Sequence, residues 1–460
     1  MRIHFAGGGR CAEYVARRLI REGHDVVIVE QDEARCRALE ESLDAKIVTG
    51  NVASLAAWRR AGLDQTEMFV ACTQWDELNV LTCLIANDLA PHAVKSVRLR
   101  TPEFAEWRGI FEKLNVKVDR IVHPESDIVS RILRVLSVPG VADIRDFAEG
   151  RVKVFSMNVE PNSWLAGQTL TSFKASAGAE HTNLCVMCRS SQAIIPLSDG
   201  EIQPGDLIYV ATSAEKLDAS LAFMGVARRD RVRLVFIVGG GEVGLELARA
   251  LENEKVAVKL FERDTQRSEN LAAQLKSAVV INTDGTDQGV LIRENVQNAD
   301  AFISLTGDDD ANLIACLLAR RLGVDKVVPL LNRLNYLPLA QRLGINTSVN
   351  PRVKAADALL EFIRKGGVLS VRTLGEEEAE AIELQVPDGS SYADKPLAEI
   401  DLPEGVKVVA IVRPNGEVII PDDASIIKPG DHVVFFAQEH AVPRLESQVL
   451  AGSKPRRWRR

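Results

Sequence analysis

A chain of 460 residues is too long for one hydrophobic core, and at roughly 150 residues per domain it should hold about three. With 46% hydrophobic and 26% charged residues and no low-complexity tract it reads as an ordinary globular protein. No run reaches the ~18 apolar residues of a membrane span, and the net charge of −8 argues against nucleic acid as a partner.

The opening Met1-Arg2-Ile3-His4-Phe5-Ala6 is a buried-strand pattern without a cleavage signal or an apolar signal core, so a cytoplasmic location is expected. The seven cysteines lack regular spacing, which fits a reducing compartment. From there Ile3–Ala6 reads as a strand, Cys11–Arg21 as a helix and His24–Glu30 as a strand. Lys46–Val48, Met68–Cys72 and Val94–Arg100 are short apolar runs between helix-period segments, and Arg120–His123 closes the set. Strands alternating with helices imply a parallel sheet covered on both faces. Asp127–Val138 then reads as an amphipathic helix ending at the stop Pro139-Gly140. A shorter, strand-rich part follows: Val152–Val159, Leu184–Arg189 and Asp206–Ala211, with a tight turn at Gln203-Pro204-Gly205-Asp206.

The chain then repeats itself. Ala6-Gly7-Gly8-Gly9 recurs as Val238-Gly239-Gly240-Gly241 and Val29-Glu30 as Phe261-Glu262, both at an offset of 232. Thr73-Gln74-Trp75-Asp76-Glu77-Leu78-Asn79 recurs as Thr306-Gly307-Asp308-Asp309-Asp310-Ala311-Asn312 at 233. His123-Pro124 recurs as Asn350-Pro351, Ile195-Pro196 as Ile420-Pro421, and Pro204-Gly205-Asp206 as Pro429-Gly430-Asp431. An offset that drifts so little means tandem duplication with small insertions and deletions. The repeated helix is Lys354–Lys365, stopped at Gly366-Gly367, and the repeated strands are Glu383–Val386, Lys407–Arg413 and Asp431–Ala437. The expected fold is therefore α/β: two Rossmann-like doubly wound parallel sheets, each followed by a small α+β C-lobe. The expected boundaries are an N-lobe at 1–123, a crossover helix and hinge at 124–140 and a C-lobe at 141–228. The second set is 232–350, 351–367 and 368–452, with a basic tail at 453–460. That tail, five cations around Trp458, reads either as a solvated end or as a contact for anionic lipid or an acidic partner.

The chemistry lies in the N-lobes. Gly7-Gly8-Gly9-Arg10-Cys11-Ala12 reads G-x-G-x-x-A between a strand and a helix, and Gly239-Gly240-Gly241-Glu242-Val243-Gly244 is the full G-x-G-x-x-G. One such match is weak; two, each in this context, are not. The first glycine permits the tight turn, the second lets the backbone approach a pyrophosphate, and the helix N-terminus offers free N–H groups and its dipole. Twenty-three residues past each first glycine stands an acid at a strand end, Glu30 and Glu262. Its carboxylate can accept the hydroxyl protons of an adenosine ribose and would repel a 2′-phosphate, which favours NAD(H) over NADP(H); Arg263 weakens that argument in the second copy. Thr73, Gln74, Thr306 and Gly307 lie where the carboxyl edge of the sheet meets such a ligand. Asp76, Glu77 and Asn79 read equally as helix caps or as ligand contacts. Arg10 faces the phosphates where the second copy has Glu242, and Arg98 corresponds to Leu331. From that contrast the first site is expected to hold a dinucleotide more tightly, the second being weaker or suited to a mononucleotide.

At these residues the sequence resembles the family of domains that regulate potassium conductance (RCK, or KTN), in the tandem form found in regulatory subunits of bacterial Trk potassium uptake. The doubled glycine fingerprint, the Thr-x-x-Asp-x-x-Asn stretches and the Pro-Gly-Asp turns carry the resemblance over nearly the whole chain. It implies NAD(H) in the N-lobes, with ATP or ADP as further ligands, and a homo-oligomeric ring (dimer or tetramer). It also implies an integral membrane potassium transporter subunit of the TrkH or TrkG type as partner, and a place at the inner face of the membrane. Carried across, the binding positions are Gly7, Gly8, Gly9, Arg10, Cys11, Glu30, Thr73, Gln74 and Arg98, then Gly239, Gly240, Gly241, Glu242, Val243, Glu262, Thr306 and Gly307. Ala12 and Cys11 replace the commoner Gly and Val, and Asn51 stands where many members have Asp.

Other features read as structure. Cys185-Val186-Met187-Cys188 aligns with a stretch having Val409 and Val412 at the cysteine positions, so it is a packing strand, not a redox or zinc motif. The seven histidines show no metal spacing, and Asp308-Asp309-Asp310 suits a helix start better than a cation. No catalytic residue and no metal ligand are assigned. The alternative is an NAD-dependent oxidoreductase, but C-lobes of about 85 residues offer no evident acid–base pair beside a nicotinamide.

Overall fold

The computed structural model describes residues 1–100, 108–138, 140–189, 192–195, 200–226, 232–345, 347–351, 359, 368–374 and 379–450. The expected helix 354–365, apart from Leu359, Pro139 and the basic tail lie outside them. The chain divides into two compact units, one built on Met1–Asp127 and the other on Ile128–Asn350 with the described residues from 368 onward.

In the first unit the strands are β1 (Arg2–Ala6), β2 (Asp25–Glu30), β3 (Lys46–Thr49), β4 (Met68–Ala71), β5 (Val94–Arg98) and β6 (Arg120–Val122). They form one parallel sheet in the order β3-β2-β1-β4-β5-β6. Helices α1 (Arg10–Arg21), α2 (Glu33–Ser42), α3 (Leu55–Ala61), α4 (Asp76–Leu89) and α5 (Arg108–Lys113) alternate with them. The central strands are buried along their length, as β4 (MFVA) shows, because helices cover both faces. The strand order reverses at β1/β4, and the fingerprint turn lies at that switch point. Helix α6 (Pro124–Ser137) follows β6. Its apolar face from Ile128 onward belongs to the second unit, where Ile128, Ile132 and Leu136 pack with Ile237, Leu247 and Val258. Lys326 closes the C-terminal end of α6 there, donating to the carbonyl of Val135 at 2.6 Å. Leu359, in turn, is buried in the first unit, beside Cys11, Val70 and Cys72.

The second unit holds three sheets of note. β7 (Asp143–Phe147), β8 (Val152–Asn158), β9 (Asn183–Arg189), β10 (Gln192–Ile194) and β11 (Leu207–Ser213) pair antiparallel as β10-β9-β11-β8-β7, with α7 (Leu170–Ala175) and α8 (Leu217–Phe223). β12 (Leu234–Val238), β13 (Ala257–Glu262), β14 (Val279–Asn282), β15 (Ala301–Ser304) and β16 (Lys326–Pro329) repeat the parallel order as β14-β13-β12-β15-β16. Their helices are α9 (Glu242–Asn253), α10 (Thr265–Gln274), α11 (Gln288–Arg293), α12 (Asp309–Arg321) and α13 (Tyr336–Arg342). β17 (Val368–Leu374), β18 (Ala379–Gln385), β19 (Lys395–Pro396), β20 (Val406–Val412), β21 (Val418–Ile419), β22 (Ile426–Ile427), β23 (His432–Gln438) and α14 (Val442–Val449) complete the chain. Of these, β17-β18-β23-β20-β21 form the last large sheet. The fold is thus α/β with two Rossmann-like sheets and two smaller α+β lobes.

The repeated Pro-Gly-Asp turn has a structural cause. Gly205 turns the chain at φ +88°, and Asp206, buried, accepts both edges of the Arg189 guanidinium at 2.8 Å and the N–H of Gln203. Asp431, also buried, takes Arg413 and the N–H of Lys428 on one of its oxygens. Burying a carboxylate is offset by a guanidinium and backbone donors of this kind.

The two antiparallel sheets share one core in which Cys185 and Cys188 lie with Val409, Val412 and Phe436. The two cysteines therefore pack as the valines do, and burial pushes the Cys185 thiol up to about 12. Lys407 donates to the carbonyl of Leu184 in that junction at 2.6 Å, and burial pushes its amine down to about 8. The unfolded lysine keeps its proton up to ~10.4. Between these values the unfolded chain binds more protons, so this residue makes stability rise with pH across that window. Urea midpoints of wild type and Lys407→Met at pH 7.5 and 10 should show a larger alkaline gain for wild type; equal changes would refute the assignment.

Candidate functional site

The two fingerprint turns are built alike. Gly7 (φ +93°) and Gly239 (φ +101°) take left-handed backbone, and a Cβ on Gly239 would stand 2.9 Å from the backbone of Leu305. A Cβ on Gly240 would stand 2.2 Å from Leu271, and on Gly8 2.6 Å from Leu39, so the second glycine is pressed between the turn and the helix behind it. Gly9 (φ −61°, ψ 172°) and Gly241 (φ −60°, ψ −177°) are different: ordinary extended backbone with no atom within 4 Å of a Cβ position. Neither α1 nor α9 has a side-chain cap, so their first N–H groups face this open space. A terminus of this kind offers free N–H donors and the positive end of a helix dipole. At the third small position a Cβ on Gly244 would lie 2.1 Å from the carbonyl oxygen of Gly239, while Ala12 is accommodated, fully buried, in the first copy.

The strand-end glutamates lie across these turns. Glu30 accepts the N–H of Gly8 at 2.7 Å, of Gln31 at 2.7 Å and of Asp32 at 3.0 Å. Glu262 accepts those of Gly240 and Asp264, both at 2.9 Å. A carboxylate has about four acceptor sites, so Glu262 keeps more of its capacity for ribose hydroxyls. Arg35 and Arg267 each donate Nε to the carbonyl of the second glycine, at 2.7 and 2.6 Å. Glu–x–x–x–x–Arg recurs in both copies, so this arginine was legible as a repeat although sequence reasoning missed it.

At the opposite wall, Asn79 and Asn312 are fully buried braces. Asn312 Oδ1 accepts from Thr306 N and Oγ1 and from Ser304 Oγ, and its Nδ2 donates to the carbonyls of Thr306 and Leu330. Asn79 holds Thr73 N and Oγ1 and donates to the carbonyl of Arg98. Asp76 receives the N–H of Arg100, and Asp309 those of Asn332 and Arg333. Asn79 and Asp76, which the sequence left between capping and ligand contact, tie the loop after the fourth strand and the start of α4 to the end of the fifth strand and the loop after it. Asp308 is the residue that caps α12, and Asp310 bonds Arg333 and Tyr336. The acidic run is thereby spent on structure.

In the second unit these parts enclose a crevice of about 410 Å³ lined by Gly239, Gly241, Glu262, Thr306 and Gly307 among the expected residues. Arg263, Arg267, Asp284 and Asp308 also line it. Glu242 and Val243 do not; Glu242 is exposed and Val243 packs against the core. In the first unit, Gly7, Gly8, Gly9, Glu30 and Thr73 surround the turn, Arg10 and Gln74 are exposed, and Cys11 is buried. Arg98 turns toward Glu125, 3.7 Å away, whose carboxyl burial raises and Arg98 opposes. Leu331, its counterpart, is core.

Comparison with known proteins decides the family. Residues 3–124 and 235–351 match the TrkA-N domain, and residues 381–449 the TrkA-C domain. The Trk system potassium uptake protein TrkA of Haemophilus influenzae is 31% identical over 97% of this chain and 98% of its own length. The chain belongs to the TrkA family. A TrkA homolog of Methanosarcina mazei, 30% identical, covers 97% of this chain and 99% of its own. Among solved structures, the GsuK RCK domain superposes with a TM-score of 0.61 at 18% identity over 98% of this chain and 95% of that one. The GsuK channel bound to NAD gives 0.60 at 18%, over 98% and 79%. At that identity the likeness is one of fold. A member of the TrkA family is a regulatory component of Trk potassium uptake, and, among the described residues, no helix is long and apolar enough to cross a membrane.

Proposed function

We propose that each N-lobe crevice binds an adenine dinucleotide, NAD(H), with ATP or ADP as competing ligands. Occupancy then biases a ring of these chains that acts on an integral membrane Trk subunit of the TrkH or TrkG type from the inner face of the membrane. The observation that carries this reading is the pairing, twice over, of an uncapped helix N-terminus behind an open glycine with a glutamate held across the turn. The first supplies N–H donors for a pyrophosphate and the second acceptors for a ribose. GsuK, of the same fold, has been solved with NAD and with ADP. Gly7, Gly8, Gly9, Glu30 and Thr73, and Gly239, Gly240, Gly241, Glu262, Thr306 and Gly307, are the positions proposed to touch ligand. Arg10 and Gln74 border the first turn from the surface, Glu242 lies exposed outside the second crevice, and Cys11 and Val243 contribute backbone. No step of bond-making is assigned to the chain.

A ring needs surfaces that a second copy can cover. Helix α4 exposes Leu81 and Leu84, and the segment of α5 exposes Ile110 and Leu114; Asn87 of α4 binds the backbone of Asn115 and Lys117 beside them. The repeat presents Ile314 on α12, Leu339 on α13 and Leu343 just past its end. Isolated exposed aliphatics are ordinary, but two matching patches on equivalent helices support homo-oligomeric contact.

A ligand shifts such a ring only through its differential affinity, and a tenfold preference supplies about 1.4 kcal/mol per site, so several sites are needed for a firm switch. Calorimetric titration of the full chain with NADH should show saturable binding without consumption of NADH on prolonged incubation. Steady oxidation by added carbonyl substrates would favour the oxidoreductase reading instead.

A further inference from the structure

The two crevices share a skeleton but differ in the charge beside the glutamate. In the first, Arg35 bonds the second glycine's carbonyl and closes its other edge on Glu13 at 2.6 Å. Glu13 also takes Arg17 at 3.1 Å. Burial would raise the Glu13 carboxyl, but its bonds to Arg35 and Arg17 outweigh that and hold it below the ordinary value. This guanidinium is therefore committed, and the residue after the glutamate, Gln31, is uncharged. In the second crevice Leu245 stands where the first has Glu13, and no carboxylate pairs with Arg267 among the described residues. Arg263 replaces Gln31, and both arginines line the opening. The carboxylate near Arg263, Asp284, accepts the hydroxyl and N–H of Thr286 on one oxygen, and those bonds together with the charge of Arg263 hold it below the ordinary value. The expectation that the second site is the weaker one rested on Glu242 and Leu331, and neither borders the crevice.

We infer that the second crevice accepts an adenine dinucleotide carrying a phosphate on its adenosine ribose, as in NADP(H), which the first crevice rejects. This rests on the reading that both crevices take adenine dinucleotides. A ribose phosphate brings a charge of roughly −1.5 to −2 to the place where the glutamate would hold the 2′-hydroxyl. In the first crevice it meets Glu30, and the arginine at the repeat position, Arg35, is already committed to Glu13. In the second, Glu262 is opposed by two guanidiniums whose planar forks match phosphate oxygens.

The test uses the full chain in two forms, Gly9→Asp to close the first crevice and Gly241→Asp to close the second. Each is titrated with NADH and with NADPH. In Gly9→Asp, which reports the second crevice, NADPH should bind within about threefold of NADH; in Gly241→Asp it should bind at least ~30-fold more weakly than NADH. Adding Arg263→Gln to Gly9→Asp, which copies Gln31 at an exposed position, should weaken NADPH about tenfold and move NADH less than threefold. Equal discrimination by the two crevices, with NADH bound in both, would overturn the inference and leave the dinucleotide reading intact. Failure of Gly9→Asp to bind either nucleotide while melting normally would overturn that reading for the second crevice.

Discussion

Gly241→Asp should abolish nucleotide binding in the second crevice, and Gly9→Asp in the first, with the melting temperature of the chain moved by no more than about 2 °C. The backbone at both positions is ordinary extended conformation, φ −60° and −61°, open to any L-residue. A Cβ there meets no atom within 4 Å, so the fold has nothing to lose from it. The side chain would enter the space in front of the uncapped N–H groups of α1 or α9, and its carboxylate would cap them in place of a phosphate. Binding should therefore fall by at least 100-fold, about 2.7 kcal/mol, while helix stability holds or rises slightly. Titration with NADH alongside a thermal melt checks both parts. Undiminished affinity would show that the phosphates do not lie on the helix terminus. The neighbouring glycines should behave in the opposite way: Gly244→Ala places a Cβ 2.1 Å from the Gly239 carbonyl oxygen and should cost stability first, on the order of 1–3 kcal/mol.

The second large effect is structural. Asn312→Ala should lower the stability of the second unit by about 3 kcal/mol and weaken its nucleotide affinity with it. Asn312 is fully buried and serves five groups: three donors on its oxygen and two carbonyls on its nitrogen. Truncation leaves Thr306 N and the carbonyl of Leu330 buried without that partner, and it frees the wall of the crevice that Thr306 forms. Asn312→Asp should not rescue it, because a carboxylate accepts but cannot donate to the two carbonyls and brings a charge into the core. Urea denaturation followed by a probe in the second unit measures this; a loss below about 1 kcal/mol would show that the brace is dispensable. The corresponding Asn79→Ala should cost less, because Ala71 stands where Ser304 supplies the third donor.

Much of the binding apparatus was legible in the chain because it depends on short-range rules. A strand, a glycine turn and a helix in that order can form only a narrow set of geometries. An acid placed 23 residues later must then lie at the end of the neighbouring parallel strand. Duplication supplied an internal control: Val409 and Val412 opposite Cys185 and Cys188 argued for packing, and all four indeed share one core. The residues whose partners were not legible act at longer range. Asp76 and Asn79 read equally as caps or ligand contacts at the start of α4, yet the Arg100 and Arg98 that they bind lie beyond that helix, on the loop after β5 and at its end. Arg98, carried across as a ligand contact, has Glu125 of α6 3.7 Å away, a neighbour that spacing along the chain did not show.

Local pattern by itself determined the two Rossmann-like sheets, the glycine turns before their first helices and the glutamates beside them. Periodicity and φ requirements are properties of neighbouring residues, and they survive in the bare sequence. Tertiary packing alone decided which charges remain available. Arg35 and Arg267 occupy the same repeat position and make the same bond to a glycine carbonyl, but Glu13 neutralises one and Leu245 leaves the other exposed to the crevice. Whether a guanidinium is committed depends on what the first helix of the lobe presents to the second, a contact that spacing along the chain does not encode.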